Sequence, residues 1–214
     1  MAPRGGRVGR LVLERPGSRN ALTTPMIDSL VGMLAALRED DTVDVVALSA
    51  VGPDFCSGSD VGDIAAVLCL GPAERARSFA HGLSTTVRPL MAGLLSLPQI
   101  VVASARGHAI GLGAALLSAA DVVVLSETAL VTVPQVGLGH TSDHGECWLL
   151  PRRIGLARAM QVSLLGERVA AVDAECFGMA NWVTADRDLE TRAADVVEAV
   201  TALQERRAPV FGPE

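Results

Sequence analysis

The 214-residue sequence contains no lysine, because all 18 of its basic residues are arginine. A chain without lysine cannot form a Schiff base with a carbonyl substrate or with pyridoxal phosphate. It also lacks the lysine that completes a Walker-type phosphate-binding loop. Both kinds of site are therefore excluded.

Aromatic residues are also scarce, since they make up 3% of the chain and tyrosine is absent. Half of the residues are nevertheless apolar, so the core has to be built from alanine, valine, leucine and isoleucine. Small aliphatic side chains of this kind suit the close packing of helices on a sheet. The length fits a single domain with one core.

Positive charge is in the minority, because the net charge is −6 at pH 7. Nucleic-acid binders present a basic face to the phosphates, so a general nucleic-acid partner is excluded. The four cysteines show neither C-x-x-C spacing nor histidines at zinc-finger spacing, and no metal site is predicted. No apolar run has the length of a bilayer span, and residues 1–10 lack the apolar stretch of a signal peptide. We therefore expect a cytoplasmic protein with reduced thiols and no membrane partner.

Short apolar runs alternate with helical patterns along the chain. This alternation predicts βαβ units and hence an α/β fold in one domain. The predicted strands are Val8–Leu13, Val45–Leu48, Ile100–Ala105, Asp121–Leu125 and Leu130–Val133. The later predicted helices are Ala114–Ala120, Trp148–Ile154, Leu156–Leu165, Ala170–Phe177 and Leu189–Arg207. We divide the chain into a core, residues 1–187, and a short C-terminal helix and tail, residues 188–214.

Two glycine-containing segments follow predicted strands, Phe55–Asp60 and Gly107–Gly113. The second segment leads directly into a helix. Backbone N–H groups at a helix N-terminus are unpaired and positively polarised, which suits a developing oxyanion. Either segment alone is also typical of an ordinary turn.

Together and in this order, the segments resemble the enoyl-CoA hydratase/isomerase (crotonase) superfamily. The resemblance extends from Val8 to Val183 and rests on residues 13–16, 19–22, 55–60, 107–113, 119–125, 148–152 and 178–181. It implies the ββα superhelix of that family in a single α/β domain with a short C-terminal helical region. Related enzymes usually have longer C-terminal helices, so we expect an open acyl pocket or a lid from a partner subunit.

The resemblance also implies an oxyanion hole made by the backbone amides of Ser59 and Leu112, next to Gly58 and Gly111. Leu112 replaces a frequent glycine or alanine, but the donor is a backbone group and is kept. Two such donors stabilise a thioester enolate and make protons on the acyl chain removable.

The carboxylates decide which reaction follows. Hydratases of the family carry a pair of glutamates, and the matching positions here hold Ala115 and Gln135, which argues against ordinary hydration. Residues 141–152 resemble the branch that includes ring-1,2-epoxyphenylacetyl-CoA isomerases, in which the residue matching Asp143 is the catalytic acid/base. The branch pattern is changed at Ser142, His144 and Glu146. An aspartate here is also suited to cap a helix beginning near His144, and both roles stay open.

Further residues are candidates for substrate binding. Asp60, by contrast, is expected to serve as a turn or cap residue. Arg15 and Arg19 are candidates for contact with the CoA phosphates, and His108 is a candidate for the lining of the CoA channel. His140 is a candidate for the acyl pocket, and Gln135 is a further candidate for substrate binding.

The leading hypothesis is an isomerase of acyl-CoA or carrier-protein thioesters, with Asp143 as the proton shuttle. One alternative is an enolate-forming decarboxylase or hydratase of a biosynthetic pathway, and another is a catalytically silent subunit that binds acyl-CoA. We expect no metal and no cofactor apart from the coenzyme A of the substrate. The family is commonly trimeric or hexameric, so we expect self-association through helices near Trp148–Leu165.

Overall fold

The computed structural model describes residues 7–139 and 141–211. Eight strands lie within these residues: β1 (Arg7–Leu13), β2 (Val43–Ala50), β3 (Ile100–Ala105), β4 (His108–Ile110), β5 (Val122–Ser126), β6 (Leu130–Thr132), β7 (Arg168–Ala170) and β8 (Trp182–Thr184). The same residues contain eight α-helices: α1 (Thr24–Arg38), α2 (Val61–Leu68), α3 (Pro72–Gly82), α4 (Arg88–Leu95), α5 (Leu112–Ala119), α6 (Glu146–Leu165), α7 (Ala171–Phe177) and α8 (Leu189–Glu205).

The larger sheet has five parallel strands in the order β1-β2-β3-β5-β8. Its central strands are valine-rich and buried, as expected where helices cover both faces of a parallel sheet. The side chains of Val45, Val102 and Val124 pack against Leu189 and Val196 of α8 on one face. The C-terminal helix is therefore packed on the sheet.

A smaller sheet stands beside the first one. It has the order β4-β6-β7, with β4 and β6 parallel and β6 and β7 antiparallel. Helix α5 follows β4 directly and is buried along its whole length. Its small residues, among them Gly113, Ala114 and Ala115, allow the surrounding backbone to come close.

The predicted α/β architecture is confirmed, with some differences in detail. The two predicted helices on either side of Gly155 are present as the two halves of α6, since Gly155 breaks the helix with φ 76° and ψ 160°. A π-helical stretch, Leu83–Val87, joins α3 to α4 just before Pro89. Strands β4, β7 and β8, of three residues each, were not predicted. Within the described part of the chain, no helix is long and apolar enough to cross a membrane.

Candidate functional site

The two glycine-containing segments lie side by side. Cys56 and Ala109 form a parallel bridge, in which the Cys56 N–H donates to the His108 carbonyl at 2.9 Å and the Ile110 N–H donates to the Cys56 carbonyl at 2.9 Å. On its other side, the first segment pairs with Leu22. The first segment is thus held between β4 and the loop before α1.

Two glycines set how closely the segments approach. Gly58 has φ +96°, and a Cβ atom built on it would lie 2.8 Å from the Ile110 carbonyl oxygen. A Cβ atom on Gly113 would lie 2.4 Å from the Cys56 carbonyl oxygen. A side chain at either position would therefore push the segments apart, which explains glycine at both places in physical terms.

The N–H groups of Ser59 and Leu112 take no part in the backbone hydrogen bonds that join the two segments to each other and to Leu22. In the bridge to Leu22, the bonds are made by the Gly58 carbonyl, 2.8 Å from the Leu22 N–H, and by the Asp60 N–H, 2.9 Å from the Leu22 carbonyl. The Ser59 N–H between them faces the opposite side, as the alternation of a strand requires. Leu112 is the first residue of α5, so its N–H has no acceptor within the helix.

Ser59 and Leu112 both line one pocket of about 370 Å³. Asp143, His144 and Gln135 line the same pocket. The remaining wall is mainly aliphatic and aromatic and comes from α1, α2, α3, the π-helical stretch and the loop before residue 140. Its apolar members are Leu22, Ile27, Val61, Ile64, Val67, Phe79, Leu83, Val87, Ile110, Pro134 and Leu138.

Asp143 faces this pocket and is not a helix cap. Helix α6 begins at Glu146, and its N-cap residue is Gly145 with φ 99°. The capping alternative for Asp143 is therefore wrong. Only 16% of the Asp143 side chain is exposed, and its Oδ1 lies 3.3 Å from Nε2 of His144.

His144 joins Asp143 to a second, fully buried carboxylate. Nδ1 of His144 lies 3.4 Å from Oε1 of Glu146, whose side chain has no exposed surface. Glu146 also accepts hydrogen bonds from the His144 backbone N–H at 2.9 Å and from Nε2 of Gln135 at 2.7 Å. We call Asp143, His144 and Glu146 the acid–histidine cluster.

Opposite charges shift both central groups of the cluster towards their ionised forms. Burial alone would lower the pKa of His144, but the hydrogen bond and charge of Glu146, helped by Asp143, raise it. Burial alone would raise the pKa of Glu146, but His144 and Gln135 lower it. Both pKa shifts favour the imidazolium form of His144 and the carboxylate form of Glu146.

The two positions at which hydratases carry glutamates are occupied by residues that cannot act as bases. Ala115 is fully buried in α5. Gln135 is 2% exposed, and its amide nitrogen is engaged by Glu146. The only carboxylates among the described residues that line the pocket are those of Asp63 and Asp143. Asp63 accepts from Thr24 at the rim.

Arg15 is bonded within the protein. Its Nη1 donates to Oδ2 of Asp60 at 2.6 Å and to the Ala21 carbonyl at 3.0 Å. Asp60 in turn caps α2 by accepting from the Gly62 N–H at 2.8 Å, which confirms its expected cap role. The hydrogen bond from Arg15 lowers the pKa of Asp60. Contact between Arg15 and CoA phosphates stays a prediction.

Arg19 and His108 meet at Asp54, outside the lining of the pocket. Nδ1 of His108 lies 2.6 Å from Oδ1 of Asp54, and Nε of Arg19 lies 3.7 Å from Oδ2. Burial opposes ionisation of Asp54, but His108 and Arg19 lower its pKa overall. Substrate binding by either residue stays a prediction. His140, also predicted to bind substrate, lies outside the described residues.

The structure therefore brings together part of the predicted set. Ser59, Leu112, Gly58, Gly111, Gln135 and Asp143 all line one pocket, whereas Arg15, Arg19 and His108 do not. The sequence reasoning did not identify His144 as a functional residue. Its signal was the position between two acids, but only the turn at Gly145 shows that Glu146 folds back onto it.

Comparisons with known proteins agree with this geometry. Residues 4–208 match the family described as Enoyl-CoA hydratase/isomerase. The 1,2-epoxyphenylacetyl-CoA isomerase of Escherichia coli K12 is 31% identical over 202 residues, covering 94% of this chain and 74% of that protein. The peroxisomal Delta(3,5)-Delta(2,4)-dienoyl-CoA isomerase of Arabidopsis thaliana is 27% identical over 199 residues, covering 90% and 71%.

Solved structures show the same fold. An enoyl-CoA hydratase from Mycobacterium avium subsp. paratuberculosis matches with a TM-score of 0.78 at 28% identity, covering 91% of this chain and 75% of that one. The expected fold and the resemblance to the epoxyphenylacetyl-CoA isomerase-like branch are confirmed. Because the similar proteins include isomerases and a hydratase, similarity alone does not decide between the two reactions.

Proposed function

Because the chain belongs to the enoyl-CoA hydratase/isomerase family, we propose that it isomerises acyl-CoA thioesters through a thioester enolate. The observation that carries this proposal is the composition of the pocket. It contains two outward-facing amides and the carboxylate of Asp143, while alanine and glutamine stand where a hydratase has its glutamates.

The chemistry follows from that arrangement. The thioester carbonyl oxygen accepts hydrogen bonds from the Ser59 and Leu112 amides, which stabilise the negative charge that develops on it. Asp143 removes a proton from the α-carbon of a 3-enoyl thioester, or from the γ-carbon of a 2-enoyl thioester, and the electron pair moves onto the oxygen. Asp143 then returns the proton to a different carbon, so the double bond shifts and no atom is gained or lost. A single carboxylate is sufficient for this sequence.

The wall of the pocket indicates the class of acyl group. Leu83, Val87 and Phe79 face the same space as Asp143 and offer few polar partners. Binding an unsaturated acyl chain, linear or cyclic, would bury apolar surface there. The E. coli relative is named for an epoxidised phenylacetyl-CoA, and an epoxidised or ring-shaped acyl group belongs in the same proposal.

The experiment that tests this function supplies 2-enoyl-CoA and 3-enoyl-CoA thioesters and follows both possible products by mass spectrometry and absorbance. Migration of the double bond without a gain of 18 mass units, about the mass of one water, supports the isomerase. Formation of a hydroxyacyl-CoA at a higher rate than double-bond migration would show that the enzyme is a hydratase. Binding without turnover of any thioester would favour the silent-subunit alternative.

Self-association is part of the proposal. Leu156, Met160 and Leu164 are exposed along one face of α6, and Trp148 is exposed near its start. Residues four apart on a helix share a face, so these side chains form an apolar stripe suited to a second copy. We expect a trimer, or a pair of trimers, by light scattering, and Leu164→Glu should shift it towards monomer. A monomeric native protein at micromolar concentration would contradict this part.

A further inference from the structure

We infer that His144 and Glu146 form a positioning couple that holds the Asp143 carboxylate aimed into the pocket. The inference rests on the proposed function for its catalytic consequence, but not for its geometry. It concerns the way in which His144 lies between two carboxylates, one in the pocket and one buried beside it.

Both ring nitrogens of His144 face carboxylate oxygens. Nε2 lies 3.3 Å from Oδ1 of Asp143, and Nδ1 lies 3.4 Å from Oε1 of Glu146. A neutral imidazole has one N–H and could donate to only one of them, whereas the imidazolium donates to both. The amide nitrogen of Gln135 also lies 3.3 Å from Nδ1, but it donates to Glu146 at 2.7 Å, so Glu146 is the acceptor beside Nδ1. Two carboxylates facing the ring favour its charged form. With Nε2 beside Asp143 and Nδ1 beside Glu146, His144 is placed to position the base.

Glu146 anchors the ring from behind. Its carboxylate has no exposed surface and accepts from Gln135 and from the backbone of His144 as well as from the ring. It stands in the first turn of α6, where the helix dipole favours a negative charge. The left-handed turn at Gly145 allows residue 146 to reach back to residue 144. These contacts fix the ring from one side and leave the other side for Asp143.

The consequence for Asp143 is geometric. Nε2 of His144, 3.3 Å from Oδ1, fixes the direction of the carboxylate that has to reach the substrate carbon. Asp63 is the only other charged side chain among the described residues that line the pocket, and its contact with Thr24 keeps it at the rim.

The first test observes the ring directly. Only four histidines are present, so proton NMR of the ring C–H signals across pH can be assigned with His144→Gln. We expect the midpoint of His144 to be raised above that of an ordinary histidine, and Glu146→Gln and Asp143→Asn each to lower it. An ordinary midpoint that neither variant moves would overturn the inference, whether or not the protein turns over any thioester.

The second test uses the isomerase reaction. His144→Gln and Glu146→Gln should lower kcat about 10- to 100-fold, because the base is no longer held in place. KM should stay nearly unchanged, because the ring does not hold the substrate. His81→Gln is the matched control, since His81 is exposed on α3 and outside the pocket lining.

The outcomes separate the two proposals. A His144→Gln protein with native kcat would contradict the couple while leaving the isomerase intact. Native protein without turnover but with the raised and coupled His144 midpoint would contradict the isomerase alone. Thermal melts and the Kd for a non-reactive thioether analogue of acyl-CoA show whether each variant is folded. If His144→Gln does not fold, the midpoint in Glu146→Gln still decides the question.

Discussion

The pocket has two halves that are built from different parts of the chain. One half, residues 56–59 with residues 110–113, consists of backbone held by hydrogen bonds and by the close approach at Gly58 and Gly113. The other half, residues 143–146, consists of side chains that hold one another through charge. The backbone half should tolerate changes of side chain but not an added Cβ atom. The side-chain half should lose activity when its charged side chains are changed.

The largest effect is expected in the side-chain half, at Asp143. Asp143→Asn keeps the shape and removes the base, so kcat should fall about 10²- to 10⁴-fold. The Kd for a non-reactive acyl-CoA analogue, measured by calorimetry, should change little. Asp28→Asn, an exposed change on α1, serves as the control. Native kcat in the Asp143→Asn enzyme would show that a different residue is the base.

In the backbone half, the largest effect is expected from a substitution of Gly58. Gly58→Ala places a Cβ atom 2.8 Å from the Ile110 carbonyl oxygen at a φ of +96°, so the amides of the oxyanion hole should move apart. We expect kcat/KM to fall about 10²-fold, the effect of losing one donor, and the free energy of unfolding to fall by about 1–3 kcal/mol.

Gly32→Ala provides the matched control for that change. A Cβ atom at Gly32 meets nothing within 4 Å, and the residue lies in the middle of α1. Alanine is a better helix former than glycine by about 1 kcal/mol, so this variant should melt at a higher temperature and keep its activity. Equal losses in the two variants, measured by thermal melts and initial rates, would contradict the role of close approach at Gly58.

The charges of the side-chain half should appear in the pH dependence of stability. Glu146 has a lowered pKa in the folded state, so its contribution is present above its unfolded pKa and is lost as pH falls through the folded value. His144 has a raised pKa, so its contribution is complete below its unfolded pKa and is lost as pH rises through the folded value.

Glu146→Gln should therefore lower Tm most in the middle of the pH range. The decrease of Tm towards acid pH and towards alkaline pH should be less steep in this variant than in the native protein. Melts of the native protein and of this variant from acid to alkaline pH would measure the difference. Glu39→Gln, an exposed change at the end of α1, should leave the shape of the curve unaltered. A curve for Glu146→Gln that runs parallel to the native one would show that the cluster is not ionised.

The smallest effect is expected at Ser59, on the backbone half. Its N–H is the predicted donor, whereas its hydroxyl makes no hydrogen bond within the described residues. Ser59→Ala should therefore keep kcat/KM within about twofold of the native value, the range of a change of about 0.5 kcal/mol. A loss as large as that of Gly58→Ala would show that the hydroxyl itself takes part in binding or chemistry.

The backbone half was largely predictable from the sequence, because glycines after strands and before a helix carry the geometry in their order. The valine-rich strands β2, β3 and β5 were predictable for a related reason, since burial on both faces leaves a continuous apolar run. Strands β4, β7 and β8 depend on partners that are distant in the sequence, and no local pattern marks them.

The side-chain half was only partly predictable. Asp143 was found by resemblance, but its connection to Glu146 depends on the left-handed turn at Gly145. Arg15 shows the same limit, because its partner Asp60 lies 45 positions further along the chain. Long-range pairing of charged side chains leaves no signature in a single sequence, and it decides which of them can reach a ligand.

The central claim is that the two halves of the pocket act together to form a thioester enolate. The most direct measurement is exchange of the α- and γ-protons of a panel of acyl-CoA thioesters in deuterated water, followed by proton NMR. The account predicts exchange by the native protein, loss of exchange in Asp143→Asn, and retention in Ser59→Ala. Binding of these thioesters without any exchange would contradict it.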